Sequence, residues 1–228
     1  MAEGKLIVIE SGIDGSGKTT QFNILYNRLK KEGYNVSQVK FPDYESESSA
    51  LVRMYLQGDF GKSPGDINLY AASTFYAVDR FASYQRKWKK LYERGAIILA
   101  DRYTTSNMIH QASKIESVKE RREYLCWLRD LEFNKFDLPE PDMVVFLDMP
   151  PRYSINFIKS RGNKQDIHEK DIEYLHTTYK NALEIADLYN WSKIYCIDDK
   201  EVRTINSIHN DIYEQVQKKI QGRGINHE

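Results

Sequence analysis

The chain has 228 residues, long enough for one α/β domain with a full core and short for two. Hydrophobic residues make up 41% and charged residues 29%, a globular balance that excludes a disordered or membrane-embedded chain. Lys plus Arg (33) equal Asp plus Glu (33), so no general attraction to nucleic acid or to an anionic membrane is expected, and an anionic ligand must be met by a local cluster of cations.

Met1-Ala2-Glu3-Gly4 runs directly into an apolar stretch, which is not a signal-peptide pattern, and no apolar run approaches membrane-spanning length. The cytoplasm is the expected compartment. Cys126 and Cys196 each lie in an apolar periodic stretch without metal spacing, and are expected to be buried structural thiols in a reducing environment.

A first strand is predicted over Lys5 to Glu10, followed by Gly12-Ile13-Asp14-Gly15-Ser16-Gly17-Lys18-Thr19-Thr20 and a helix ending near Gly33, a suitable C-cap. A second strand, Asn35 to Phe41, runs into Phe41-Pro42-Asp43-Tyr44, where proline stops the ladder. A short helix is predicted over Ser46 to Leu56 and a long one from Asp66 to Arg94. Ala96 to Ala100 is a fully apolar third strand ending at Asp101-Arg102-Tyr103, and broken helix follows from Thr105 to Phe136. Met143 to Asp148 is the fourth strand; helix is predicted over Arg152 to Lys159 and again over Glu169 to Tyr189, with a polar interruption between. Lys193 to Ile197 is the fifth strand, Val202 to Ile220 a closing helix, and the tail after Gly222 is polar. Strands alternating with longer helices predict a parallel sheet flanked by helices on both faces, as a single domain.

The glycine-rich stretch matches a phosphate-binding loop in its required setting between strand and helix. Its glycines let the backbone bend and turn several N–H groups toward one anion, and the helix N-terminus adds further donors and positive partial charge. Lys18 is placed to reach the β and γ phosphates, and the Thr19 hydroxyl to hold Mg²⁺. The competing explanation, a plain glycine turn, leaves the Lys-Thr pair unexplained. A bound nucleoside triphosphate is therefore expected.

Open parallel sheets bind ligands beyond the C-terminal ends of their strands, so the second substrate is sought there. Arg102, after the third strand, could clamp an acceptor phosphate bidentately, or it could pair with Asp101 at the surface. Tyr76 and Arg80 share a helix face and suit a nucleobase, the ring stacking and the guanidinium bonding a carbonyl; an exposed cation–π pair is the alternative. Ser160 to His168, with Lys159, Arg161 and Lys164, reads as a short mobile lid bringing cations over the triphosphate, or as a solvated loop.

Together these pieces resemble the thymidylate kinase family of P-loop nucleoside monophosphate kinases over nearly the whole chain. The resemblance rests on Glu10 to Thr20, Phe41-Pro42-Asp43-Tyr44, Asp79-Arg80, Asp101-Arg102-Tyr103 with Ser106-Asn107, and Phe146-Leu147-Asp148 before Pro150-Pro151. It implies a P-loop NTPase fold with five parallel strands and a lid, and transfer of the ATP γ-phosphoryl group to dTMP with Mg²⁺. It also implies that members are homodimers, with the apolar faces of the 66–94 helix as the place to look. The ATP site would be Gly12, Asp14, Gly15, Ser16, Gly17, Lys18, Thr19 and Thr20. The acceptor site would be Asp14 at the sugar 3′-hydroxyl, Tyr76 and Arg80 at the base, Arg102 and Tyr44 at the phosphate, and Asn107 supporting the base end. Phe41 and Ser106 complete it, and His110 would lie against the sugar.

Gly15 follows Asp14, so the loop offers no arginine, and the catalytic cation would come from the lid, first from Arg161 and then from Lys164, beside Lys18 and Arg102. The chain departs from the family where Asp43-Tyr44 brings no arginine and where the lid reads Asp166-Ile167-His168-Glu169. Rival readings are a kinase for dUMP, UMP or thymidine, with Glu10 as a possible base for a nucleoside hydroxyl, and a GTPase-type switch, which lacks its Asn-Lys-x-Asp signature here.

Overall fold

Leu6-Ile7-Val8-Ile9 has no polar face, which suits a strand covered on both sides. In the computed structural model, which describes residues 4–61, 63, 65–154 and 172–222, this segment lies at the centre of a five-stranded sheet. The strands are β1 (Lys5–Ser11), β2 (Val36–Lys40), β3 (Ile97–Asp101), β4 (Met143–Asp148) and β5 (Ser192–Tyr195). All are parallel, in the order β2-β3-β1-β4-β5, so the ends of β1, β2, β3 and β4 open at one edge.

Alternate residues divide the core in two. Leu6, Val8, Ile98, Ala100, Val144 and Phe146 face one side, under α3 (Leu69–Ser83), α5 (Thr104–His110), α6 (Val118–Arg129) and α7 (Ile172–Leu188). Ile7, Ile9, Ile97, Leu99, Val145 and Leu147 face the other, under Phe22, Leu25 and Leu29 of α1 (Lys18–Lys31) and Ile208, Ile212 and Val216 of α8 (Ile205–Ile220). Helices on both faces thus follow from the lack of a wet side on the central strands.

Helix ends follow local chemistry. α1 closes with Gly33 in the left-handed region (φ 85°), its N–H donating to Lys30 O while Tyr34 N–H reaches back to Leu29 O. Asn68 caps α3 through Tyr70 N and Ala71 N, so the helix starts three residues after the predicted Asp66. α3 passes through a π-helical turn (Tyr84–Trp88) into α4 (Lys89–Glu93), which makes the predicted long helix nearly continuous. The predicted 46–56 helix is a 3₁₀ turn (Glu47–Ser49) followed by α2 (Ala50–Gln57).

Two expectations are corrected. The closing helix begins at Ile205, capped by Thr204, because Glu201–Val202 (β7) pairs antiparallel with Ile197–Asp198 (β6) across Asp199 and Lys200, both at positive φ. Cys126 is exposed on α6; only Cys196 is buried, and burial pushes its thiol up to about 12. The lid (160–168), the 152–159 helix beyond residue 154 and the tail after Gly222 lie outside the described residues. No helix among the described residues is long and apolar enough to cross a membrane.

Candidate active site

The loop between β1 and α1 turns sharply because two glycines take left-handed backbone, Gly15 at φ 76° and Gly17 at φ 82°. Gly12 is favoured for a different reason. A Cβ there would stand 3.1 Å from Tyr179 Cδ2 and 3.2 Å from Ala182 Cβ, tighter than ordinary contact, so a larger residue would push α7 back by a few tenths of an ångström. Tyr179 is itself fixed by its hydroxyl, which donates to Asp148 Oδ1 at 2.5 Å. Lys18 is buried, its Nζ 3.3 Å from Asp101 Oδ1 at the end of β3. The approach is an ion pair without hydrogen-bond geometry, and that oxygen makes no hydrogen bond among the described residues. Ser16 Oγ is likewise buried without a partner. The loop thus lines one cleft with Ser16 and, on the side of Lys18, a space where a cation can meet phosphate.

Arg102 faces this space from the next chain segment. Its backbone is left-handed (φ 69°), costly for a residue with a Cβ, and its N–H bonds Ile9 O at 3.2 Å, which ties the turn to β1. Arg102 Nη2 donates to Asp14 Oδ1, and Nη1 lies 3.4 Å from Ser106 Oγ, 3.2 Å from His110 Nε2 and 3.7 Å from Glu10 Oε1. Burial disfavours its charge, but the carboxylates of Asp14, Glu10 and Asp101 outweigh that and raise its pKa. Glu10 is fully buried and accepts from Ser11 N, Thr105 Oγ1 and Ser106 Oγ. Asp101 and Arg102 do not pair with each other: one turns to Lys18, the other to Asp14 and Glu10.

Arg80 lies deeper, 1% exposed. Its Nε and Nη2 donate to the two oxygens of Glu132 at 2.7 and 2.6 Å, and Nη2 also reaches Asn107 Oδ1 at 3.2 Å. Glu132, 0% exposed, belongs to a π-helical turn (Asp130–Lys135) that prolongs α6. Desolvation lowers the Arg80 pKa, Glu132 raises it, and the net shift is upward. Neighbouring Asp79 accepts from Asp43 N at 2.8 Å and Ser48 Oγ at 2.6 Å, hanging the Phe41-Pro42-Asp43-Tyr44 loop on α3. Lys87 from the first π-helical turn pairs with Asp43.

These groups enclose a cleft of about 310 Å³. Asp14, Lys18 and Thr19 line it together with Phe41 and Tyr44, with Tyr76 and Arg80 of α3, and with Arg102, Ser106, Asn107 and His110. Tyr76 is braced edge-on by Tyr55, ring centroids 6.3 Å apart. A second, more apolar cleft of about 260 Å³ opens on the other side of the loop, lined by Gly15, Ser16, Gly17 and Thr20 with Met149, Val202, Arg203 and Ile205. All nine residues expected at the acceptor therefore line one cleft, and four expected at ATP line the other. Arg161 and Lys164 lie outside the described residues.

Residues 9–212 match the model of the thymidylate kinase family, described as "Thymidylate kinase". This chain belongs to the thymidylate kinase family. It is 31% identical over 218 residues to a probable thymidylate kinase of Thermococcus onnurineus, covering 94% of this chain and 98% of that one. It is 28% identical over 216 residues to the thymidylate kinase of Plasmodium falciparum, covering 95% and 91%. The solved thymidylate kinase of Candida albicans shares the fold, with a TM-score of 0.71 at 23% identity over 96% of this chain and 94% of that one. The chain is thus an enzyme of the thymidylate kinase type, a P-loop nucleotide kinase.

Seen as a thymidylate kinase, the site contains residues that the sequence did not single out. Gln111, 2% exposed, lines the larger of the two clefts with His110; it accepts at 2.8 Å from Lys114, whose ammonium also bonds Tyr55 and has its pKa lowered by burial to about 8. Lys40, at the end of β2, lines the same cleft. Gln111 follows directly on the 102–110 cluster, which was the one signal available for it. Glu132 had none, sitting 52 residues from Arg80 in a helical stretch.

Proposed function

We propose that this chain transfers the γ-phosphoryl group of ATP to dTMP, giving dTDP and ADP. The observation that carries this reading is one cleft of about 310 Å³ that brings the phosphate loop, Arg102 and Tyr44, suited to a phosphate, together with Tyr76, Arg80 and Asn107, suited to a base. In this reading the ring of Tyr76 stacks on thymine, Arg80 bonds its carbonyl, Asp14 meets the 3′-hydroxyl, and His110 lies by the sugar. ATP lies along the loop, with its base in the apolar cleft beside Met149, Val202 and Ile205.

A phosphate oxygen is already an adequate nucleophile, so the residues need only align and neutralise. Lys18 holds the donor phosphates, Arg102 the acceptor phosphate, and Arg161 supplies the third cation. Thr19 and the orphaned Oδ1 of Asp101 are hard oxygen donors facing the same space, a set that fits Mg²⁺. Bound with ATP, Mg²⁺ supplies charge neutralisation at the phosphates. The nucleoside-kinase reading needs a carboxylate free to take a hydroxyl proton, and Glu10 is buried and already accepts three hydrogen bonds.

The test is ADP release with ATP and Mg²⁺, comparing dTMP, dUMP, UMP, dCMP and thymidine as acceptors. The highest kcat/KM is expected for dTMP, and a substantial loss of turnover for Arg161→Ala. A chain that prefers thymidine or UMP would sink the reading.

We further propose a homodimer through α3, where Val78 and Phe81 are exposed, as are Leu51 and Met54 on α2, the helix in contact with it. Light scattering should give twice the chain mass, and Phe81→Glu should shift it toward the monomer. A wild-type chain of monomer mass at micromolar concentration would refute this.

A further inference from the structure

Arg80 offers five N–H donors. Four have protein acceptors: two go to Glu132, one to Asn107 Oδ1, and one, long at 3.4 Å, to Tyr103 O. One N–H on Nη1 is left over among the described residues, in a guanidinium that lines the acceptor cleft and has almost no access to water. A buried cationic donor demands an acceptor atom, because leaving it unpaired forfeits the whole desolvation cost.

Which N–H is left over depends on Glu132. Its carboxylate takes Nε and Nη2 together, the fork that fixes the guanidinium plane, and Thr104 Oγ1 pins the same carboxylate from α5 at 2.6 Å. The π-helical turn gives the glutamate this reach: Phe136 N–H bonds Leu131 O and Leu138 N–H bonds Glu132 O, which widens the helix where Glu132 points inward.

We propose that Glu132 is the positioning residue for base selection, holding Arg80 so that one Nη1 N–H is presented to the acceptor base. The inference rests on the dTMP reading above and names how that site discriminates. A pyrimidine with a carbonyl at this point, thymine or uracil, completes the set. Cytosine offers an amino group there, donor against donor, and leaves the buried charge unsatisfied. Glu132 lines neither of the two clefts.

The experiment measures kcat/KM for dTMP and for dCMP, and KM for ATP, in wild type, Glu132→Gln and Thr104→Val. In Glu132→Gln the amide replaces one acceptor by a donor facing a donor, so the guanidinium turns. The preference for dTMP over dCMP should fall at least about tenfold, mainly through KM for dTMP, with KM for ATP unchanged. Thr104→Val keeps the fork and loses one anchor, so it should shift the same ratio less, and Glu132→Asp should recover only part of it. Wild-type turnover of dTMP is the control: its absence would refute the enzymatic reading rather than this one. With that control met, an unchanged dTMP-to-dCMP ratio in folded Glu132→Gln overturns the assignment. If that variant does not fold, an unchanged ratio in Thr104→Val does so.

Discussion

Alanine in place of Arg102 should lower kcat/KM for the nucleotide acceptor by on the order of 10³-fold, the scale seen when a phosphate-directed arginine is lost from a phosphoryl-transfer site. The guanidinium joins Asp14 on the phosphate loop to Ser106 and His110 on α5, so its loss removes both charge and alignment. Lysine is no substitute, because a single ammonium cannot serve partners spread around a planar fork. Glycine separates activity from stability. Position 102 has φ 69°, where alanine is strained by about 1 kcal/mol and glycine is not. Arg102→Gly should therefore match Arg102→Ala in activity yet melt higher. Steady-state kinetics with thermal unfolding of both variants checks this; near wild-type turnover in either one would remove Arg102 from the site.

The second large effect is on stability. Arg80→Ala should lower the unfolding free energy by about 3–5 kcal/mol, because Glu132 is left charged and enclosed. For a chain of this size the melting temperature should fall by roughly 10 °C. Replacing both partners, Arg80→Met with Glu132→Leu, should recover most of the stability and none of the base recognition. Chemical denaturation of the single and double variants reads this, and a deficit under about 1 kcal/mol for Arg80→Ala would contradict it.

The phosphate loop was legible because its chemistry is contiguous: Gly12 to Thr20 carries its own turn, anion donors and cation, and needs no distant partner to be recognised. The sheet was legible because the runs at 6–9, 97–100 and 144–147 are apolar at every position, which only a doubly covered strand tolerates. Arg80 could be placed on a face shared with Tyr76, but its state could not, since the carboxylate that holds it arrives through a π-helical turn. Periodicity at 3.6 residues carries no sign of such a widening. Cys126 misled for a related reason: apolar neighbours on α6 made its stretch look buried, while the helix turns that position outward. The start of the closing helix was missed because Val202 fits a helical pattern, whereas pairing with Ile197 claims it for a hairpin.

The phosphate loop lies between two clefts, with Lys18 facing one and Ser16 and Thr20 lining the other. On the proposed function, donor and acceptor would enter by separate clefts, and neither must leave before the other arrives. On the proposed reading the phosphoryl group crosses directly from one guest to the other within a ternary complex. The protein never needs to carry it, and no side chain in the site is asked to be its temporary bearer.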